Sequence, residues 1–378
     1  MRNLRVYLMV LLVTLALVSG TTTALAASSN VVEVGVIAPT TGPLASIGTA
    51  VIEGIKLAAK VINEQGGVGG ASIKLVIYDD RNMPDEAVAA AKRLISDDKV
   101  PVIIGSVGST STAAVQQITM KEKMPLVTPV SMAPKLTELG DKYFFRATAT
   151  AAMREVTFAR FVSQGLKAKT IAFLAANDDL GRSTVDAAVK QYAKFGAPKV
   201  LWTAYFDPMA NDFLAELSKI KSLNPDAVYL VADSVRAAII VKQLRMLGIK
   251  ADVVASAEAA TNEFLRLAGS AAEGIYFPLD WAVTFDNPES KEFLSLYQKE
   301  YHKLPETKFA VQGWETMWVV GKALMAAGKN ASPAAIRDGL AKVKWVGPRG
   351  EFNFDEKGQV QIESHIAEVK SGKFVIKN

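Results

Sequence analysis

The sequence contains no cysteine and only two histidines, His302 and His365. Without cysteine the chain forms no disulfide and carries no lipid anchor on an N-terminal cysteine. Two distant histidines and no thiol also leave no metal-ligand spacing. His302 lies in a charged run, KEYHK, and His365 in a C-terminal strand pattern. Neither neighbours a serine-rich turn or an acidic cluster, so neither reads as a general base. GxSxG, HExxH and GxxxxGK[ST] do not occur. The loop after the first strand, PTTGPLASIG, has the wrong glycine spacing for a dinucleotide site and is interrupted by Pro43. Asp79 and Asp80 therefore read as polar strand-end residues rather than ribose ligands. The chain reads as a non-enzyme with no cofactor and no metal.

Basic runs of five or more residues are also missing. The formal charge is +5, and without Arg2 and Arg5 it is +3. That is too small to imply nucleic acid or an acidic membrane surface. Arg2 and Arg5 precede an apolar segment, Leu8 to Val18, and a small-x-small site, Ala24-Leu25-Ala26. Residues 1–26 read as a cleaved secretory signal peptide. The apolar segment is too short to span a bilayer, and no other stretch approaches eighteen apolar residues. An exported protein without an anchor is best retained between two membranes, so the expected location is the periplasm.

What is present is ample core. The chain has 378 residues, half of them hydrophobic and 21% charged, which suits two domains. Strand-like and helical patterns alternate from Val31 to Arg146 and again from Met153 to Phe277. Residues Ile47 to Asn63 carry a helical apolar stripe, and Val100 to Ile104 is a buried-strand run. This rhythm predicts two parallel sheets with helices on both faces. The tail, from Pro288, has three helical segments and short final strands, too little for a third domain. It is expected to complete both lobes, so the chain crosses between them several times. Ligands of such sheets bind at the carboxyl ends of the strands.

The stretch VPVIIGSVGSTSTAAVQQITM, residues 100–120, passes from strand through glycine into a helix starting at Ser109. Ser109, Thr110, Ser111 and Thr112 are candidate caps. A helix N-terminus behind a glycine turn suits a small anion such as a carboxylate. The plainer alternative is an ordinary junction whose hydroxyls only cap. Two acids stand at strand ends in the second half: Asp233 after AVYLV and Glu258 within VVASAEAA. Each is either a solvated strand-end acid or a cleft carboxylate that receives a cation.

Several blocks together resemble the periplasmic leucine/isoleucine/valine-binding proteins. They are VVEVGVIAPTTGPLASIGTAVIEGIKLAAKVINEQGGVGG, YDDRNMPDEAVAAAKRLI, VIIGSVGSTSTAAV, MPLVTPVSMAPKLT and GEFNFDEKGQ. The resemblance implies an α/β fold of two doubly wound parallel-sheet lobes joined by a multi-strand hinge. The expected division is 27–147 with 279–354 for one lobe, and 148–278 with 355–378 for the other. It also implies a binding protein for an ABC permease in the inner membrane, working as a monomer on a small-molecule ligand. That ligand is an apolar α-amino acid, branched-chain or related. The alternatives are an aromatic or other organic carboxylate, or a role as ligand-sensing partner of a receptor. By motif position, Ser109, with Thr110 beside it, corresponds to the carboxylate-holding turn. Val130, Ser131 and Met132 form the loop whose backbone touches the ligand's carboxylate and ammonium, and Glu258 corresponds to the ammonium-binding glutamate. Ile47 and Leu180 stand where relatives often carry aromatic walls, Asp233 where tyrosine is common, and Met132 replaces threonine. Phe309 corresponds to an aromatic ligand contact on a late helix.

Overall fold

Short apolar runs with no polar interruption become the central strands, buried on both faces as parallel sheets require. In the computed structural model, which describes residues 30–362 and 364–377, β1 spans Val31–Ile37, β2 Ser72–Tyr78, β3 Ile103–Gly105, β4 Leu126–Thr128 and β5 Phe144–Arg146. The signal-peptide reading of residues 1–26 lies outside the described residues. Between these strands run α1 (Ala45–Glu64), α2 (Pro84–Ser96), α3 (Ser109–Glu122) and the single turn α4 (Lys135–Glu138). The five strands form one sheet in the order β2-β1-β3-β4-β5, with β1, β3, β4 and β5 paired in parallel.

The second sheet has seven strands in the order β14-β13-β10-β9-β8-β6-β7. It is entered through α5 (Ala151–Arg160), which continues into one wide turn, Phe161–Gly165. Then come β6 (Thr170–Ala176), α6 (Asp179–Phe195), β7 (Lys199–Phe206), α7 (Leu214–Leu223), β8 (Ala227–Val231) and α8 (Ser234–Met246). After β9 (Asp252–Ala255) a tight turn, Ala257–Ala259, leads to α9 (Asn262–Ala268) and β10 (Tyr276–Leu279). The tail returns to the first lobe with α10 (Pro288–Tyr301), α11 (Lys308–Ala327), α12 (Pro333–Ala341) and the hairpin β11 (Trp345–Gly347) and β12 (Gly350–Phe352). It ends in the second sheet as the antiparallel pair β13 (His365–Lys370) and β14 (Lys373–Lys377). Helix α6 begins at Asp179, where the Asp178 carboxylate accepts from Gly181 N at 2.7 Å and caps it.

Three crossings join the lobes. Ala147 packs in the first core and Phe158 in the second lobe. Leu279 belongs to the second core and Trp281 to the first, so Asp280 sits on the boundary itself. Val360 and Ile362 pack in the first core and Ile366 in the second lobe. The third crossing therefore falls after Ile362, not at the expected 354/355 break. Bridges Phe354↔Val360 and Arg146↔Gln359 hold that segment against the first lobe.

Asp280 draws the crossings together. Its Oδ2 accepts from Arg154 Nη2 at 3.0 Å, Arg349 Nη1 at 2.8 Å and Gln312 Nε2 at 3.3 Å. Arg349 also pairs with Glu315 and donates to Ala147 O at 2.6 Å. Gln359 Nε2 donates to Thr148 O at 2.8 Å. All of these side chains are buried.

Candidate functional site

The carboxyl ends of both sheets meet at one cavity of about 520 Å³. From the first lobe it is lined by Gly42–Leu44 and Ile47, Arg81–Met83, Val107–Thr110 and Val130–Met132. From the second lobe come Ala176, Asp178, Leu180, Gly181, Pro208, Met209, Val231–Asp233 and Glu258. Of the ten residues singled out from the sequence, Ile47, Ser109, Thr110, Val130, Ser131, Met132, Leu180, Asp233 and Glu258 all line it. Phe309 does not. It is 1% exposed within the first-lobe core, so the expected aromatic contact is corrected to a packing residue. The first turn of α11 faces that core and the hinge instead of the cleft.

The turn before α3 depends on two glycines. Gly105 has φ +141°, and a Cβ there would lie 2.3 Å from Ile37 O. At Gly108 a Cβ would lie 1.8 Å from Asn82 Oδ1, so only glycine lets the β2–α2 loop close against this turn. The expected hydroxyl caps do not form, because the cap position is Gly108 and no side chain caps α3. Each hydroxyl is used otherwise or left open. Ser109 Oγ accepts from Ala133 N at 3.3 Å, and Thr110 Oγ1 donates to Asp179 Oδ2 at 3.3 Å. Thr112 Oγ1 and Ser131 Oγ share a hydrogen bond of 2.5 Å, and Ser111 Oγ is buried without a partner. The helix N-terminus thus faces the cavity uncapped, with the Ser109 hydroxyl proton free to donate. That suits an anion.

The loop after β4 is locked to this turn from beneath. Ser131 Oγ donates to Val107 O at 2.9 Å, and Thr128 Oγ1 to Ser106 O at 2.9 Å. Buried Arg146 holds the end of the loop by donating to Ala133 O at 2.9 Å. Asp79 and Asp80 fix the neighbouring loops. Asp79 takes Thr40 N at 2.9 Å, Thr41 Oγ1 at 2.7 Å and Arg81 N at 2.9 Å. Burial pushes its carboxyl up, but the Thr41, Arg81 and Thr40 hydrogen bonds outweigh that and hold it at about 2. Asp80 accepts from Ser106 Oγ and Asn82 N.

Three acids face the cavity from the second lobe, and two are already engaged. Asp178 caps α6. Asp233 caps α8, its Oδ1 accepting from Val235 N at 2.8 Å and Arg236 N at 3.1 Å, with Arg236 Nε 3.7 Å from Oδ2. Glu258 differs: it is 8% exposed, and neither carboxylate oxygen has a hydrogen-bond partner. A buried carboxylate in that state needs a cation or donor. Polar contacts cross the cleft mouth at Ser46–Glu263, 3.2 Å, and Lys135–Asp179, 2.7 Å.

Sequence reading missed Arg81, Asn82 and Met83 after β2, and Pro208 and Met209 after β7. The strand-end rule that found Asp233 and Glu258 covers them too. It also missed Asp280, whose importance depends on partners far away in the chain.

Two lobes, three buried crossings and a polar-ended cavity between facing strand ends define a hinged small-molecule binding protein. The sequence profile of the periplasmic binding protein family matches residues 31–373, and the chain belongs to that family. It is 28% identical over 334 residues to the leucine-, isoleucine-, valine-, threonine- and alanine-binding protein of Pseudomonas aeruginosa, covering 88% of each chain. It is similar in structure to a leucine-binding protein of Thermotoga maritima, with TM-score 0.86, 29% identity, and 92% and 98% of the two chains covered. A solute-binding protein of R. palustris solved with 4-hydroxybenzoate gives TM-score 0.84 at 25% identity, covering 92% and 95%. These relatives are binding proteins, not enzymes.

Proposed function

We propose that the protein is the periplasmic binding component of an ABC importer, exported by its 1–26 leader, and that it carries an α-amino acid with an apolar side chain. One observation supports this above the rest. The buried, unpartnered Glu258 carboxylate and the uncapped N-terminus of α3 belong to opposite lobes of one cavity. A zwitterion presents an ammonium to the first and a carboxylate to the second. Ile47, Leu180, Val130 and Met132 supply an aliphatic wall that suits branched or larger apolar side chains. The names of the Pseudomonas aeruginosa and Thermotoga maritima relatives agree with this reading.

Calorimetry with leucine, phenylalanine and a matched carboxylic acid lacking the amino group tests it. The amino acids are expected to bind at least about tenfold more tightly, since a hydrogen bond to a charged group contributes about 1.5–3 kcal/mol. Equal or tighter binding of the des-amino acid would instead favour an aromatic or other organic carboxylate. That second reading draws on the α3 anion site, which needs no ammonium, and on the 4-hydroxybenzoate complex of the R. palustris protein.

Ligand groups from both lobes also imply hinge closure. Small-angle scattering should give a smaller radius of gyration with ligand than without. An unchanged radius, with binding confirmed by calorimetry, would count against closure.

A further inference from the structure

The two lobes also touch away from the hinge. Asp179, the first residue of α6 in the second lobe, stands between the cavity-lining Asp178 and Leu180 but does not line the cavity itself. Its Oδ1 pairs with Lys135 Nζ at 2.7 Å, and its Oδ2 accepts from Thr110 Oγ1 at 3.3 Å. Both partners belong to the first lobe. Thr110 follows Ser109 at the start of α3, and Lys135 opens α4 just after the Val130–Met132 loop. One carboxylate thus holds two first-lobe segments that line the cavity. Among the described residues, Lys135–Asp179 is the one ion pair between the lobes outside the buried cluster at Asp280. Asp179 follows β6, which is separated from β10 by β9 and β8. Strand β10 runs into the second crossing, at Asp280. At about 4.8 Å per strand, the contact lies about 14 Å across the sheet from that crossing. Rotation about the hinge therefore moves it further than the Ser46–Glu263 contact, because Glu263 follows β9, the neighbour of β10.

We propose that Asp179 is a closure latch: its carboxylate fastens the second lobe to Lys135 and Thr110 of the first, and so sets the affinity for ligands that it does not touch. The proposal rests on the hinge closure put forward above, and not on which ligand the cleft takes. Only the closed cleft presents the α3 N-terminus and Glu258 to one ligand at once. The apparent dissociation constant is the intrinsic one divided by the fraction of closed molecules. A contact made on closure raises that fraction whatever the chemistry of the ligand. The gain is modest, because the Lys135 and Asp179 side chains are 53% and 35% exposed and water screens the pair. Exposed pairs of this kind shift an equilibrium by up to about fivefold. The same exposure makes the latch sensitive to salt. Glu258 discriminates between ligands with and without an ammonium, and the latch does not.

The test is calorimetry and stopped-flow dissociation of leucine and 4-methylpentanoate on wild type, Lys135→Met, Asp179→Asn and the double variant. Asparagine keeps an acceptor for Thr110, so this cycle isolates the ion pair. Asp178 caps α6, so the start of the helix does not depend on Asp179. Each single variant should weaken whichever ligand binds, and both by the same factor, about three- to fivefold, through faster dissociation. The double variant should lose no more than either single one. Raising salt from about 0.05 M to about 0.5 M should bring wild type and variants together. Single variants with wild-type affinity, losses that multiply in the double variant, or a loss confined to one of two bound ligands each overturn the proposal. If neither ligand binds, the ligand reading fails separately, and the latch is read without one. The chain has no cysteine, so one introduced cysteine in each lobe carries a dye of a fluorescence-transfer pair. Asp179→Asn should lower the closed population of the free protein, and an unchanged population overturns the proposal.

Discussion

Glu258→Ala is expected to weaken an amino-acid ligand by about 10- to 150-fold, the equivalent of losing a hydrogen bond to a charged group. The lower bound assumes that water replaces the lost carboxylate. The cleft makes that replacement poor, because Glu258 is 8% exposed and lines a cavity it shares with apolar residues such as Ile47, Val130, Met132 and Leu180. The ligand ammonium would then be buried unpaired. The des-amino acid should lose much less, since its contacts lie on the α3 side. Calorimetry of both ligands on both proteins gives the result as a double difference. A Glu258→Ala protein that is folded by circular dichroism and binds leucine with wild-type affinity would remove the ammonium from the site description.

Asp280→Ala should cost about 3–5 kcal/mol of stability, the usual penalty for removing one partner of a buried charge cluster. The site is severe because one carboxylate serves three cations. Arg154 and Arg349 donate to it at 3.0 and 2.8 Å, and Lys308 lies 3.7 Å away. Without it, buried cations from α5, α11 and the β11–β12 turn repel one another across the junction of both lobes. Burial pushes the Asp280 carboxyl up, but Arg154, Lys308 and Arg349 outweigh it and hold it well below the usual carboxylate range. A folded value below the unfolded one of about 3.9 contributes stability that is fully present above that pH. The contribution is lost as pH falls from there through the folded value. Denaturant unfolding near neutral pH should therefore separate wild type from Asp280→Ala, and the gap should narrow below about pH 4. A variant within about 1 kcal/mol of wild type at neutral pH would show that the hinge does not depend on this carboxylate.

The two predictions rest on residues of different legibility. Glu258 and Asp233 stand out in the chain because carboxylates follow short apolar runs, and parallel sheets place such residues at the ligand-binding edge. The start of α3 at Ser109 is legible for a similar reason: a β-branched run, a glycine and a helical pattern follow one another within a few residues. The alternation of strands and helices, and hence the two sheets, comes from periodicities that each segment carries by itself.

Contacts between distant segments are not encoded that way. Asp280 looks like any strand-end acid until Arg154, 126 residues before it, and Arg349, 69 residues after it, meet on its carboxylate. Phe309 is an aromatic residue at the start of a helix, and only the docking of α11 on the first lobe decides that its ring goes to the core. The hydroxyls of Ser109 to Thr112 match a capping pattern, yet the partners that engage Ser109, Thr110 and Thr112 lie beyond α3, at Ala133, Asp179 and Ser131. Thus the sequence by itself determined the elements, the strand-end positions and the chemical types available at the cleft. Tertiary structure alone decided which of those groups are already satisfied. A side chain's hydrogen-bonding and charge balance depend on everything packed around it, and at Glu258 that packing leaves a carboxylate without a hydrogen-bond partner.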